Sequence, residues 1–235
     1  MALSLALVVL GVSAASLLFA SLGFTALVFT SLYESRQRSP VVDFGLFRSF
    51  GFSALLIAAF LNYVSTAALT PALSLLFQEE YEMTPQDAGM LLVLQALAMA
   101  ISAPLAGRLS DKTSPSAVSV GGAALLAASL FAYSHVALSS LSPHLLFLMG
   151  VGFVFFIVPN TTLILLSVPP ARRGTASALV AEARVVGQSL SNAVAVNVLR
   201  SHSSLPSGVS ALLLLSAVAV ATAVLSAARY IAMRL

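Results

Sequence analysis

Cysteine and tryptophan are absent from this 235-residue chain, lysine occurs once, at Lys112, and charged residues make up only 8%. Each shortage removes a class of protein. Without Cys there is no disulfide, no thiolate metal site and no sulfur nucleophile. The histidines, His135, His144 and His202, are too scattered for a metal-ligand spacing. Neither HExxH nor GxSxG occurs, and no paired carboxylates or nucleophile–base spacing stands inside an apolar stretch. An enzyme is therefore the least supported class, and neither a cofactor nor a metal is expected. So little charge cannot cover the surface of a soluble domain of this length. The net charge of +3 and pI near 9.7 do not point to nucleic acid, because no basic cluster interleaved with aromatics stands outside the short loops.

What is present is apolar. Hydrophobic residues make up 59% and the mean hydropathy is +1.02. A bilayer-crossing helix needs about 20 mostly apolar residues. Such stretches fall near Leu3–Tyr33, Phe52–Phe77, Ala88–Ala106, Ala117–Ala137, Leu145–Val168, Ala176–Leu199 and Val209–Ile231. The reading is an all-α integral membrane protein with seven transmembrane helices, whose first partner is the lipid bilayer. Met1–Ala20 lacks a basic start and its apolar run continues to Tyr33, so it reads as a full span and not as a cleaved signal peptide.

The loops alternate in charge. Arg36, Arg38 and Arg48 follow the first stretch, Arg108 and Lys112 the third, and Arg172 and Arg173 the fifth, while Arg229 and Arg234 lie at the C-terminus. The loop after the second holds Glu79, Glu80, Glu82 and Asp87 without a basic residue, the one after the fourth has none, and the one after the sixth has only Arg200. By the positive-inside rule the basic side is cytoplasmic. The N-terminus is then outside and the C-terminus inside a plasma membrane.

Residues 1–33 form an extra N-terminal span and residues 34–51 a cytoplasmic amphipathic elbow, with Pro40 breaking any continuing helix. Residues 52–235 form a six-helix bundle. It divides into two triplets that begin on opposite sides, as inverted repeats do. The stretch Pro104–Lys112 reads as a tight cytoplasmic turn. In it Gly107 would let two helices approach, Asp111 would accept from helix N-terminal amides, and Arg108 and Lys112 would anchor to head groups or an acidic partner. The bland alternative is a charged hairpin loop. Val168–Ser177 occupies the corresponding place in the second triplet, its two prolines ending one span.

The GRLSDK run, the PPARRGTASA turn and the SRQRSPVVDFGLFR elbow together resemble the C-terminal part of the major facilitator superfamily, in its fourteen-helix drug/proton antiporter branch. The likeness covers essentially the whole chain, and Arg184, Gly187, Gln188 and Ser189 resemble that branch's penultimate helix. The run departs from the superfamily's loop motif after Lys112, where Thr113-Ser114-Pro115 replace a second Gly and its basic followers. The resemblance implies a half transporter for small organic compounds, with efflux driven by protons. Such transporters face two bundles across the substrate path. This chain supplies one bundle and one extra span, so a split half with a second partner half, a homodimer or a gene fragment is expected.

Polar residues deep in a span usually face protein or a water-filled cavity. The sixth stretch places Arg184, Gln188, Ser189, Ser191 and Asn192 on one arc, with Glu182 at its edge and Val186, Leu179, Ala183 and Val180 opposite. Glu182 is a candidate proton carrier or the structural partner of a basic residue elsewhere. Asn62, Thr66, Thr70 and Ser74 form an i, i+4 row with Tyr63 beside it, Asn160 follows Pro159, and Gln95 lies in the third stretch. For these neutral groups the plain alternative is hydrogen-bonded glue between helices. The candidate path is thus Asn62, Tyr63, Thr66, Gln95, Asn160, Glu182, Arg184, Gln188 and Asn192. Competing readings are a seven-helix receptor, which the span count fits, and an inactive transporter fragment. No lysine in the last span could form a retinal Schiff base.

Overall fold

A computed structural model describes residues 44–136, 142–200 and 207–232. The Leu3–Tyr33 stretch, most of the elbow and the two loops after Val136 and Arg200 lie outside the described residues. Every regular element among the described residues is helical. A 3₁₀ turn, Phe44–Arg48, leads into α1 (Phe50–Thr66), and α2 (Leu69–Leu75) continues it into a π-helical turn at Leu76–Glu80. Then follow α3 (Pro85–Lys112), α4 (Pro115–Val136) and α5 (Ser142–Leu166). A 3₁₀ turn at Pro170–Arg172 opens α6 (Arg173–Arg200), and α7 spans Ser207–Ala232.

With α1 and α2 taken as one bent rod, six long helices result. Five are long and apolar enough to cross a membrane: Phe50–Glu79, Pro85–Lys112, Pro115–His135, Ser142–Leu166 and Leu212–Ala232. Helix α6 has the length, with 28 residues, but its Arg, Glu, Gln and Asn residues keep it out of that group. Seven spans are therefore more than the described residues show.

The sequence explains where α3 begins and ends. Thr84 caps it by accepting from the Asp87 amide at 3.2 Å and donating to the Asp87 carboxylate at 2.7 Å. Pro85 sits at the first helical position, where its missing N–H costs nothing. At the other end the expected turn is corrected. Pro104–Lys112 is helix to its last residue, and only Thr113 and Ser114 separate α3 from α4. Pro115 opens the next helix, so the reversal is compressed into two residues.

The bundle buries two apolar clusters. One gathers Leu69, Leu73, Phe77, Ala88, Leu130, Tyr133, Leu146 and Leu212. The other gathers Leu46, Phe52, Leu55, Ile164, Val168, Ala176 and Leu179. The first lies at the end that carries Glu79, Glu82 and Asp87, the second at the end that carries Arg48, Arg172 and Arg173. Ser142 donates to the Tyr133 hydroxyl at 2.8 Å, tying α4 to α5 at the acidic end. Leu46 fixes the elbow turn by burial beneath α1, with the Phe47 and Phe52 rings edge to face at 5.9 Å. Helix α5 is central, against α4, α3 and α1; α4 and α1 also pack on α7, and α6 packs on α1. Helix α3 leans almost wholly on α5.

Candidate functional site

Two close helix approaches shape the space between α1, α3, α5 and α6. A Cβ built on Gly150 of α5 would collide with the Gln95 carbonyl of α3 and come within 2.9 Å of the Ala98 Cβ. One built on Gly187 of α6 would lie 2.9 Å from the Phe60 carbonyl and 3.0 Å from the Tyr63 Cβ on α1. Small residues at such crossings let backbones touch. They also set Gln95 and Tyr63 in place.

Between these contacts lies a pocket of about 240 Å³, lined by Tyr63, Thr66, Ala67, Thr70, Leu92, Gln95, Ala96, Met99, Phe153 and Gln188. The Tyr63 and Phe153 rings meet edge to face, with centroids 6.0 Å apart. The lining combines two side-chain amides, two Thr hydroxyls and a phenol with aromatic, Met and Ala surface, and it contains no ionised group. That chemistry suits an organic molecule with several hydrogen-bonding groups on a largely apolar frame. Arg184 stands beside it, close enough for its charge to act on Tyr63.

Of the candidate path residues, Tyr63, Thr66, Gln95 and Gln188 meet in this pocket. Glu182, Arg184 and Asn192 are exposed on α6 and do not line the pocket. Asn62 and Asn160 go elsewhere. Asn160 is buried and donates to the Leu55 carbonyl at 3.1 Å, joining α5 to α1. Asn62 is fully buried, and neither its Nδ2 nor its Oδ1 has a partner among the described residues. The i, i+4 row is split because the rod breaks at Ala67–Ala68, so Thr66 and Thr70 reach the pocket and Asn62 does not. Met99 and Phe153 carried no sequence signal, being apolar residues in apolar helices. Ser191, placed in the polar arc, instead turns inward and is buried against α1.

The loop-motif residues lie on the last turns of α3. Among the described residues no atom lies within 4 Å of a Cβ built on Gly107, so none of their helices packs closely there. Arg108, Asp111 and Lys112 are exposed on the last turns of α3. Gly107→Leu is accordingly expected not to lower the melting temperature of the purified chain, because the added side chain meets open space and Leu favours a helix over Gly. A large drop would show a packing contact at this face of α3. Among the described residues no cluster of His, Asp or Glu is suited to a metal.

A bundle of long helices, five of them apolar enough to cross a membrane, with a polar pocket between them fits a multi-pass membrane protein. The family described as the Major Facilitator Superfamily matches residues 1–192 and 55–232, and the chain belongs to that superfamily. This is a family of transporters, not of enzymes, and membership sets aside the seven-helix receptor. The chain is 30% identical over 185 residues to the tetracenomycin C resistance and export protein of Streptomyces glaucescens, covering 77% of this chain and 33% of that protein. It is 27% identical over 178 residues to the riboflavin transporter RibZ of Clostridioides difficile, with 73% and 39% covered. Against the multidrug resistance protein Stp of Mycobacterium tuberculosis the identity is 26% over 181 residues, with 75% and 34% covered. The chain spans between a third and two fifths of the length of these relatives.

Proposed function

We propose that the chain is the C-terminal portion of a secondary active transporter that exports small organic compounds in exchange for protons. The observation that carries this is the pocket itself: Tyr63, Thr66, Gln95 and Gln188 converge from three helices, and Arg184, one turn before Gln188 on α6, is exposed. A second six-helix bundle facing α6 completes the path, and the relatives, each more than twice the matched length, support this. Residues 1–33 are an extra span before the elbow and residues 52–235 the bundle, giving seven spans with two inverted triplets. Glu182 is the proton-carrying candidate on this side of the path.

The transport reading is tested with the assembled transporter in everted membrane vesicles energised by a proton gradient. Riboflavin and ethidium serve as fluorescent probes. Accumulation of at least one, lost when the gradient is collapsed and reduced about tenfold or more by Gln95→Leu combined with Gln188→Leu, is expected from the loss of two hydrogen bonds of about 0.5–1.5 kcal/mol each. Accumulation indifferent to both changes would remove the pocket from the path.

The orientation is N-outside and C-inside, with the basic end cytoplasmic. Single cysteines at Glu82 and Thr113, both exposed, report it in a protein with no other thiol. An impermeant maleimide added to intact cells should label Glu82→Cys and spare Thr113→Cys. The opposite pattern inverts the topology.

A further inference from the structure

The α1–α2 rod is interrupted at the pocket wall by a side chain from another helix. In an unbroken helix the Ala68 N–H would donate to the Val64 carbonyl one turn earlier. Here the Ser191 hydroxyl of α6 stands between them. It donates to the Val64 carbonyl at 2.6 Å and accepts from the Ala68 N–H at 3.0 Å. Three residues on, Pro71 offers no N–H to the Ala67 carbonyl. One turn before, the Ser65 and Thr66 hydroxyls both donate to the Asn62 carbonyl at 2.8 Å, a local bond that bends helices. A group inserted into the backbone ladder is a recognised cause of a sharp kink. Ser191 is fully buried, so water does not take its place. Thr66, Ala67 and Thr70, on the two sides of the break, line the pocket together with Gln188, which precedes Ser191 by one turn of α6.

We propose that Ser191 is a positioning residue for the pocket. Its hydroxyl holds the Val64–Ala68 link open, so that α2 keeps its angle to α1 and a shift of α6 at Gln188 is passed directly to Thr66 and Thr70. The role in transport rests on the pocket being the substrate path. The hinge itself does not, and the test reads the backbone.

The full chain, in lipid nanodiscs, carries spin labels on cysteines placed at Leu75 of α2 and Phe131 of α4, or at Leu75 and Leu214 of α7; all three positions are exposed. In Ser191→Ala the Ala68 N–H bonds Val64 directly. Straightening by about 20° swings Leu75, about 10 Å beyond the break, by about 3–4 Å. The distance maximum of at least one pair should shift accordingly, and Ser191→Thr should retain the wild-type distances. Ala68→Pro is introduced only together with Ser191→Ala, because the proline ring takes the space of the bond to the hydroxyl, and the φ of −81° at this position is within reach of proline. In the double variant Ser191→Ala with Ala68→Pro the link cannot close, and the wild-type distances should return. A bond that only added stability would not be rescued by deleting a second donor. Unchanged distances in Ser191→Ala, or a double variant that keeps the distances of Ser191→Ala, overturn the assignment. Distances that behave as stated in a protein that moves no probe would leave the hinge standing and remove the transport reading.

Discussion

Arg184→Ala should abolish measurable transport by the assembled carrier, and Arg184→Lys should recover only part of it. Arg184 lies about 16 Å along α6 from Arg173, near the middle of the helix. It is exposed there. Among the described residues its guanidinium makes no hydrogen bond, and it stands within electrostatic reach of Tyr63 of the pocket. A charge at such a depth is costly unless it meets water, a counter-ion or a polar ligand. Loss of a charge-assisted bond to any of these removes about 1.5–3 kcal/mol, or about 10- to 150-fold in rate or affinity. Lysine keeps the charge but not the planar fork. Vesicle uptake, normalised to protein inserted in the membrane, is the measurement. Wild-type uptake by Arg184→Ala would detach α6 from the path.

Gly150→Leu should dislodge α3 from the bundle. The conflict there is with the Gln95 carbonyl, which is backbone and cannot rotate away. Overpacking costs about 1–3 kcal/mol where side chains can adjust, and here two helix axes must separate. Because α3 rests almost wholly on α5, little else retains it. The expected result is a much lower melting temperature in detergent and loss of probe binding, with Gly150→Ala intermediate. A Gly150→Leu protein that melts like wild type would mean that α3 and α5 do not cross at this point.

The six long helices follow from apolar length, a signal carried by dozens of residues at once, and their ranges agree with the sequence reading within a few positions at most ends. The motif at Pro104–Lys112 was misread as a turn because Gly, Pro and charge usually mark one, whereas here two residues and Pro115 suffice to reverse the chain. Tyr63, Thr66, Gln95 and Gln188 were legible as pocket residues because polar groups are conspicuous in apolar helices. The same criterion could not separate them from Asn160, which spends its amide on a carbonyl of α1. Nor could periodicity show that Ser191 turns inward. Its direction depends on a break in another helix, and the residues that allow that break to be filled, Gly187 and Ala68, have no polar signature.

The weak seating of α3 has a practical consequence. Met90, Val93, Leu97, Ile101, Leu105 and Leu109 are all exposed along it, so in detergent its retention depends on one neighbour. Gln95, Ala96 and Met99 on this loosely held helix face Gln188 on α6 across the pocket. A compound that bridges them acts as a clasp between the two. Binding to the folded form alone raises stability by about 2.7 kcal/mol at a hundredfold excess over Kd. Thermal-shift screening of the purified protein is therefore a direct way to find compounds that fill the pocket, independent of any transport assay, and hits should lose their effect in Gln95→Leu.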